Sequence, residues 1–493
     1  MGTATESAPP NDTLFKILVS GVVCGLLWRI WLKVQTFYYL HETRFVWAII
    51  IIAVFTAVLL FLWIRNCWLE KHPLKTNDAI VLGHDVDTGL PAIITDEDRI
   101  THGEVIGTTK TGKTYFVLCR IIAHDIARKN GCFIVDGKSD QSFSKFINGK
   151  IKNEGRTDVA QLLLAEPEKS ATYNPFFWGN PDQITERFFS AFTFDNPFYK
   201  ALQFNSLRSV LIGLNTLKQI PTPALVHTHL SSYENLKSFV EELDSHPEIA
   251  AQVAANYADT KKYQEYNAGL ISYLSQLCMG DVAKIFNTPT PSIRIEEVYA
   301  KRSFLYAQIP TMQFQTLGPA VGRLLLLELM QVISVAQVKG NIPDKILSVI
   351  LDDFNDFMFE GFGSLLNKGR SGRVGVIFSH QSLGDLDRVS PHFRNIVLTN
   401  TNIKIVLKTP DPDSAETLSK LFGTKKTRKR TERVQSNGFT EKKTGDSSER
   451  ETEEFLFHPN VLKSELPTGE GIVLKPTSRG TECVRVKFLD PNS

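Results

Sequence analysis

Apolar positions along the chain fall into three patterns. The first is continuous. Phe45–Ile64 (FVWAIIIIAVFTAVLLFLWI) runs twenty residues without a charge, and Thr56 is its one polar side chain. A helix of that length rises about 30 Å, the thickness of a bilayer's hydrocarbon core. Leu14–Val34 is a less regular candidate. It is uncharged from Ile17 to Trp28, after which Arg29 and Lys33 stand where they can snorkel to an interface. Glu6 and Asp12 precede Lys16, so the N-terminus lacks the basic start of a signal peptide. Trp47, Trp63 and Trp68 suit the interfacial belt. The pattern predicts an N-terminal anchor, residues 1–75, with two transmembrane helices.

The second pattern is a series of short apolar runs. Glu104–Ile106, Cys132–Asp136, Ser303–Ile309, Ile346–Asp353, Val374–Ser379 and Asn402–Leu407 each read as a buried strand. Tyr115–Lys129 carries Phe116, Leu118, Ile121, Ile122 and Ile126 at near-helical spacing. Strands alternating with helices predict a doubly wound α/β sheet. The third pattern is helical alone. Residues 183–290 hold helix-period segments at Ala201–Gln219 and Lys262–Cys278 and no convincing strand. They predict an all-α domain inserted between two halves of the α/β domain, 76–182 and 291–493.

Charge changes this picture little. Lys+Arg number 55 against Asp+Glu 53, a net charge of +2, which demands no anionic partner for the chain as a whole. The densest basic cluster is Lys425–Arg433 (KKTRKRTER), inside a polar stretch, 424–454. It reads as a solvated loop. Contact with a DNA backbone is the sharper alternative, although no interleaved aromatics suggest stacking on bases. Cys24, Cys67, Cys119, Cys132, Cys278 and Cys483 form no C-x-x-C pair, which argues against a zinc site or a disulfide framework.

The candidate chemistry lies between the first two strands. Gly107-Thr108-Thr109-Lys110-Thr111-Gly112-Lys113-Thr114 fits G-x-x-x-x-G-K-[ST]. Glycines let the backbone wrap a phosphate, and amides at the helix start donate to it. Lys113 neutralises the β- and γ-phosphates of ATP, and Thr114 offers a hydroxyl to Mg2+. The run ILSVILDD ends in two acids. Asp352 is placed to hold Mg2+ and Asp353 to polarise the attacking water, although an acid pair here also caps a following helix. Gln381, just past the strand Val374–Ser379, can sense the γ-phosphate or orient water. Arg370 and Arg373 precede that strand, where ring ATPases supply a cation to the neighbouring subunit's nucleotide. ATP is cytosolic, so everything after Ile64 is expected inside. Arg65, Lys71 and Lys75 agree with the positive-inside rule.

Several segments together resemble the type IV coupling protein family, the TraD/TraG-like ATPases of conjugation and type IV secretion. They are RITHGEVIGTTKTGKT (Arg99–Thr114), CFIVDGKSD (Cys132–Asp140), YNPF (Tyr173–Phe176) and ILDDF (Ile350–Phe354). SHQSLGDL (Ser379–Leu386) and KIVLKTPDPDSAETLSKLFG (Lys404–Gly423) complete the set. The resemblance implies a RecA-like motor in a hexameric ring at the bacterial inner membrane. It implies as partners single- or double-stranded DNA without sequence preference, a relaxase with its relaxosome proteins, and the inner-membrane components of the secretion channel. Position by position it implies Gly107–Thr114, Asp352 and Asp353 as the nucleotide site, Gln381 as the sensor and Arg370 as an arginine finger. This chain departs from the family at Lys110, where glycine is usual, and at Asp353, where glutamate is usual. Two alternatives stand beside the DNA motor. One is a substrate receptor for protein secretion. The other is an FtsK/HerA-type DNA pump, which the helical insertion and the short external loop expected between the two spans, near Gln35–Arg44, disfavour.

Overall fold

The computed structural model describes residues 78–257, 262–436, 441–477 and 480–492, and of the N-terminal region 28–31, 33, 47 and 49–61. The chain divides into two compact units, Met1–Asn77 and Asp78–Ser493. In the first unit, Ile49–Phe61 is an apolar helix, exposed along its whole length. The Thr56 hydroxyl donates to the Ile52 carbonyl at 2.8 Å, so the one polar side chain is satisfied within the helix. The rest of that predicted span, and most of Leu14–Val34, lie outside the described residues. Among the described residues, one helix is both long and apolar enough to cross a membrane, Leu317–Lys339. Leu324, Leu325 and Leu329 pack it into the core of the second unit, so it is a core helix.

The second unit is built on one eleven-stranded sheet and a separate two-stranded one. Its strands are β1 (Ala79–Asp85), β2 (Pro91–Thr95), β3 (Gly103–Ile106), β4 (Gly131–Asp136), β5 (Val159–Leu163), β6 (Phe304–Gln308) and β7 (Leu347–Asp352). They continue as β8 (Val374–His380), β9 (Ile403–Val406), β10 (Thr424–Ser436), β11 (Glu441–Phe455), β12 (Glu470–Thr477) and β13 (Gly480–Phe488). The large sheet runs β2-β1-β13-β12-β9-β3-β8-β7-β4-β6-β5. From β9 to β5 all neighbours are parallel. β3, β4, β7, β8 and β9 are buried at every residue, which is why they read as unbroken apolar runs. From β2 to β9 the neighbours are antiparallel.

The register lines up the strand ends that matter. Ile106 lies beside His380 and Val406, and Asp136 beside Asp352. These residues share the carboxyl edge of the parallel strands, where open α/β sheets bind ligands.

Between Pro181 and Lys301 every described element is a helix. Asn180, Asn196, Thr222 and Ser232 each cap one through a side-chain oxygen, and proline opens three of these four helices. The two helix-period segments appear as Pro197–Thr216 and Tyr263–Cys278. Their Leu207, Val210 and Leu270 share one continuous core with Val349 and Phe378 of the sheet.

Residues 424–454, read as a solvated loop, are instead mostly paired as the hairpin β10–β11. The register sets Lys425 opposite Glu454 and Lys426 opposite Glu453. Opposite charges facing across an antiparallel pair stabilise it, so a composition that looks like a loop suffices for a hairpin.

Candidate nucleotide-binding site

β3 ends at Ile106 and the chain turns through Gly107–Gly112 into a helix. That helix opens with a π-helical turn, Lys113–Leu118, and continues as Cys119–Arg128. Gly112 has φ 99°, and a Cβ there would lie 2.4 Å from the Phe116 ring. A Cβ on Gly107 would meet the Thr111 hydroxyl at 2.9 Å. Both glycines are therefore steric requirements of the turn. Lys110 also has positive φ, 66°. The family's glycine at this position has a physical reason, and this chain carries a lysine in backbone better suited to glycine. No side chain caps the first turn of the helix. Its free amides and dipole suit the loop to an anion.

Lys113 is 8% exposed. Its Nζ donates to the carbonyls of Gly107 and, at 3.3 Å, Thr108. Burial holds its pKa below the ordinary lysine value, against the pull of Asp353 and Asp352. The Thr114 hydroxyl donates to Asp352 Oδ2 at 2.8 Å. Asp352 is 2% exposed, and its Oδ1 accepts from the Ser379 hydroxyl at 2.6 Å. Ser379 Oγ in turn accepts the Asp353 N–H at 3.1 Å. Asp353 is half-buried, with its backbone in the left-handed region at φ 47°, ψ 51°. Burial, and then the neighbouring Asp352 charge, raise its carboxyl above the ordinary aspartate value. Strained backbone of this kind persists where surrounding structure fixes it, often at functional sites.

A cavity of about 710 Å3 joins these groups. Thr108, Thr109, Lys110, Gly112, Lys113, Thr114, Asp352, Asp353 and Gln381 line it. Gly107 and Thr111 form the loop's base, where Gly107 N–H donates to the His380 carbonyl and the Thr111 hydroxyl to the Thr108 carbonyl. The Gln381 backbone N–H donates to Asp385 Oδ2 at 2.9 Å. Arg370 is elsewhere. It lies exposed in the turn Gly369–Gly372 before β8, at the amino edge of the parallel strands, and the cavity of its own subunit does not include it. Arg373 pairs with Glu97 at 3.1 Å.

Three contributions escaped the sequence. Ser379 reads as the end of an apolar strand, yet it ties both aspartates to β8. Asp136 closes β4 and accepts from the N–H groups of Lys138 and Ser139 and the Tyr306 hydroxyl. Burial pushes its carboxyl up to about 7, and its turn carries Lys138 to the cavity wall. Beneath the loop, Glu104 of β3 accepts from Lys404 Nζ at 2.8 Å and lies 3.2 Å from His380 Nε2. Burial works against its charge, but Lys404 and His380 overcome that and hold it at about 2. The signal available for Glu104 and Lys404 was their mismatch with the apolar runs around them.

The oxygen donors of Thr114 and Asp352 fit a small hard cation. Among the described residues no group of three or more His, Cys, Asp or Glu forms a metal cage. Mg2+ needs none, because it binds through one or two carboxylates together with water and substrate phosphates.

Comparison with known proteins bears on the same region. A family model described as the TraM recognition site of TraD and TraG matches residues 347–464. The type 4 coupling protein DotL of Legionella pneumophila is 22% identical over 391 residues, covering 67% of this chain and 50% of its own length. The chain thus spans half the length of that relative. The unbound conjugative coupling protein TrwBΔN70 superposes with a TM-score of 0.59 at 15% identity, over 82% of this chain and 89% of its own. The plasmid coupling protein TrwB in complex with ADP and Mg2+ gives 0.57 at 15% identity, over 83% and 90%.

Proposed function

We propose that this chain is a type IV coupling protein, an inner-membrane ATPase of a type IV secretion system. In this reading it couples a relaxase–DNA complex to the channel and drives transfer by hydrolysing ATP. The observation that carries the reading is the chain of contacts Thr114–Asp352–Ser379–Asp353, whose threonine and two aspartates line one cavity with Lys113. Nucleotide- and Mg2+-bound TrwB, a protein of similar fold, supports it.

In this reading the amides of Thr109–Thr114 and the Lys113 ammonium bind the phosphates of ATP. Thr114 and Asp352 hold Mg2+, which supplies charge neutralisation across the transferring phosphate. Asp353 accepts a hydrogen bond from the attacking water, and Gln381 orients that water. Arg370, remote from its own cavity, serves the next subunit's nucleotide in a homo-hexamer. Residues 183–290 act as an all-α domain toward the DNA-processing complex. Two spans within residues 1–75 anchor the chain with its ATPase in the bacterial cytoplasm.

A second reading has its own support. The hairpin carries nine Lys/Arg against seven Asp/Glu over residues 424–455, and its register sets several cations opposite glutamates. That removes the densest basic cluster as an obvious DNA contact and favours a receptor for protein substrates. ATPase assays of the membrane-extracted chain separate the two. Stimulation by single-stranded or duplex DNA supports the motor, and turnover indifferent to DNA supports the receptor.

A further inference from the structure

Arg370 rides on a turn, Gly369–Gly372, that other elements grip on either side of it. Gln337 lies in the last turn of the core helix Leu317–Lys339. Its Nε2 donates to the Lys368 carbonyl at 2.9 Å and to the Ser371 hydroxyl at 2.8 Å. Those acceptors bracket Arg370, and the Ser371 hydroxyl donates in turn to the Lys368 carbonyl at 3.1 Å. The Gly372 carbonyl accepts from the Tyr299 hydroxyl at 3.0 Å and from Arg302 Nη2 at 3.1 Å. Tyr299 belongs to the helix Ile295–Lys301, and Arg302 ends it.

The donors are themselves fixed. Val332 and Ile333 are buried about one turn before Gln337. Gly340 closes the same helix in left-handed backbone, its N–H donating to the Ala336 and Gln337 carbonyls. Arg302 is 4% exposed, and its other donors reach the carbonyls of Lys345 at 2.7 Å and Tyr299 at 3.0 Å. The turn also packs closely. A Cβ on Gly372 would lie 2.8 Å from Ile333 Cγ2, and one on Gly369 3.3 Å from the His102 ring.

The Arg370 guanidinium is treated differently. Arg370 is exposed, and among the described residues no hydrogen bond or ion pair engages its side chain. Arg373, by contrast, pairs with Glu97. A backbone held this firmly under a cation with no partner of its own suits a side chain presented outward. A rigid mount limits the ordering that engagement would otherwise cost.

We infer that Gln337 is a positioning residue for Arg370, with Tyr299 and Arg302 completing the mount. The inference rests on the reading in which Arg370 serves the next subunit's nucleotide, and it adds what sets the reach of that arginine. Gln337 is not among the residues lining its own subunit's nucleotide cavity, so it acts through the turn.

Mixed oligomers test this, because they assign the arginine and the phosphate loop to different chains. The control mixes Lys113→Ala, which supplies the arginine, with Arg370→Ala, which supplies the loop. Gln337→Ala is then added to one chain or the other. In the Lys113→Ala chain it should cut the recovered turnover roughly tenfold or more, since a misplacement of about 1 Å costs up to about a hundredfold. In the Arg370→Ala chain the same change should cost far less, because that chain lends only its loop. A merely structural role would not produce this asymmetry. Tyr299→Phe removes one hydrogen bond to Gly372 and almost no volume. It should show the same asymmetry at smaller size, and it decides the question if Gln337→Ala fails to fold. Equal recovery from the two arrangements overturns the positioning and leaves Arg370 its role. No recovery in the control, where mixed oligomers form, overturns action in trans and the positioning with it.

Discussion

The Ser379 hydroxyl donates to Asp352 at 2.6 Å while accepting the backbone N–H of Asp353, so one side chain on β8 sets the acid that closes β7 and the one just past it. A hydrogen bond to a charged group contributes about 1.5–3 kcal/mol. Ser379→Ala should therefore reduce ATP turnover roughly ten- to hundredfold while the protein stays folded. Steady-state hydrolysis alongside a thermal melt checks this. Unchanged turnover would mean that the aspartates hold their positions without Ser379.

The two acids should fail differently. Asp352→Asn should weaken Mg2+-dependent nucleotide binding, because Asp352 faces Thr114 at 2.8 Å. Asp353→Asn should leave binding nearly intact and depress hydrolysis by about tenfold or more, a general-base contribution being of order 10²–10⁴. Nucleotide binding and single-turnover hydrolysis separate the effects. Equal loss of binding in both, with normal turnover of bound ATP, would sink the division of labour.

Arg370 is remote from its own cavity, so its proposed role requires a neighbour. Arg370→Ala and Lys113→Ala should each be inactive alone, an arginine finger being worth about a thousandfold or more. Mixed together they should recover part of the activity, because some interfaces combine an intact loop with an intact arginine. Mixed oligomers that form and show no recovery would rule out action in trans.

Lys110 sits at φ 66°. Lys110→Gly should raise stability by up to about 1 kcal/mol through relief of left-handed backbone, less the entropy that glycine adds to the unfolded chain. Turnover should be maintained. Denaturant midpoints of the two proteins decide it, and a clear destabilisation would show that the Lys110 side chain holds the loop.

Glu104 has a folded-state pKa of about 2, below its ordinary 4.5. Its ionised form therefore stabilises the fold above the ordinary value, and that contribution is lost as the pH falls through about 2. Glu104→Gln leaves Lys404 buried without its counter-charge and should cost about 3–5 kcal/mol at neutral pH. The deficit relative to the unaltered chain should narrow on acidification. Unfolding curves across that range test it, and a deficit constant with pH would argue against the linkage.

The central strands and the phosphate loop were legible because they are buried on both faces. Continuous apolar runs such as ILSVIL leave little choice, and a glycine loop between strand and helix has a fixed stereochemistry. β1, β2, β12 and β13 were not legible. Together they extend one end of the sheet, and β1 finds β13 from the far end of the chain. No local window contains that partner. β5 lies at an edge and is mostly half-buried, so VAQLL carries a weak signal. The hairpin β10–β11 was hidden for another reason, since its strands are polar along almost their whole length and show no apolar alternation.

The pairing of β1 with β13 also orders events during synthesis. β1 and β2 leave the ribosome early, but the strand that fills the gap between β1 and β12 is made some 390 residues later. At about 5–20 residues per second, β1 waits roughly 20–80 s with one edge unpaired. An unpaired edge is a template for the wrong strand. A ribosome stalled anywhere before Gly480 would leave an unfinished chain with that edge still open, beside every other copy in the same state.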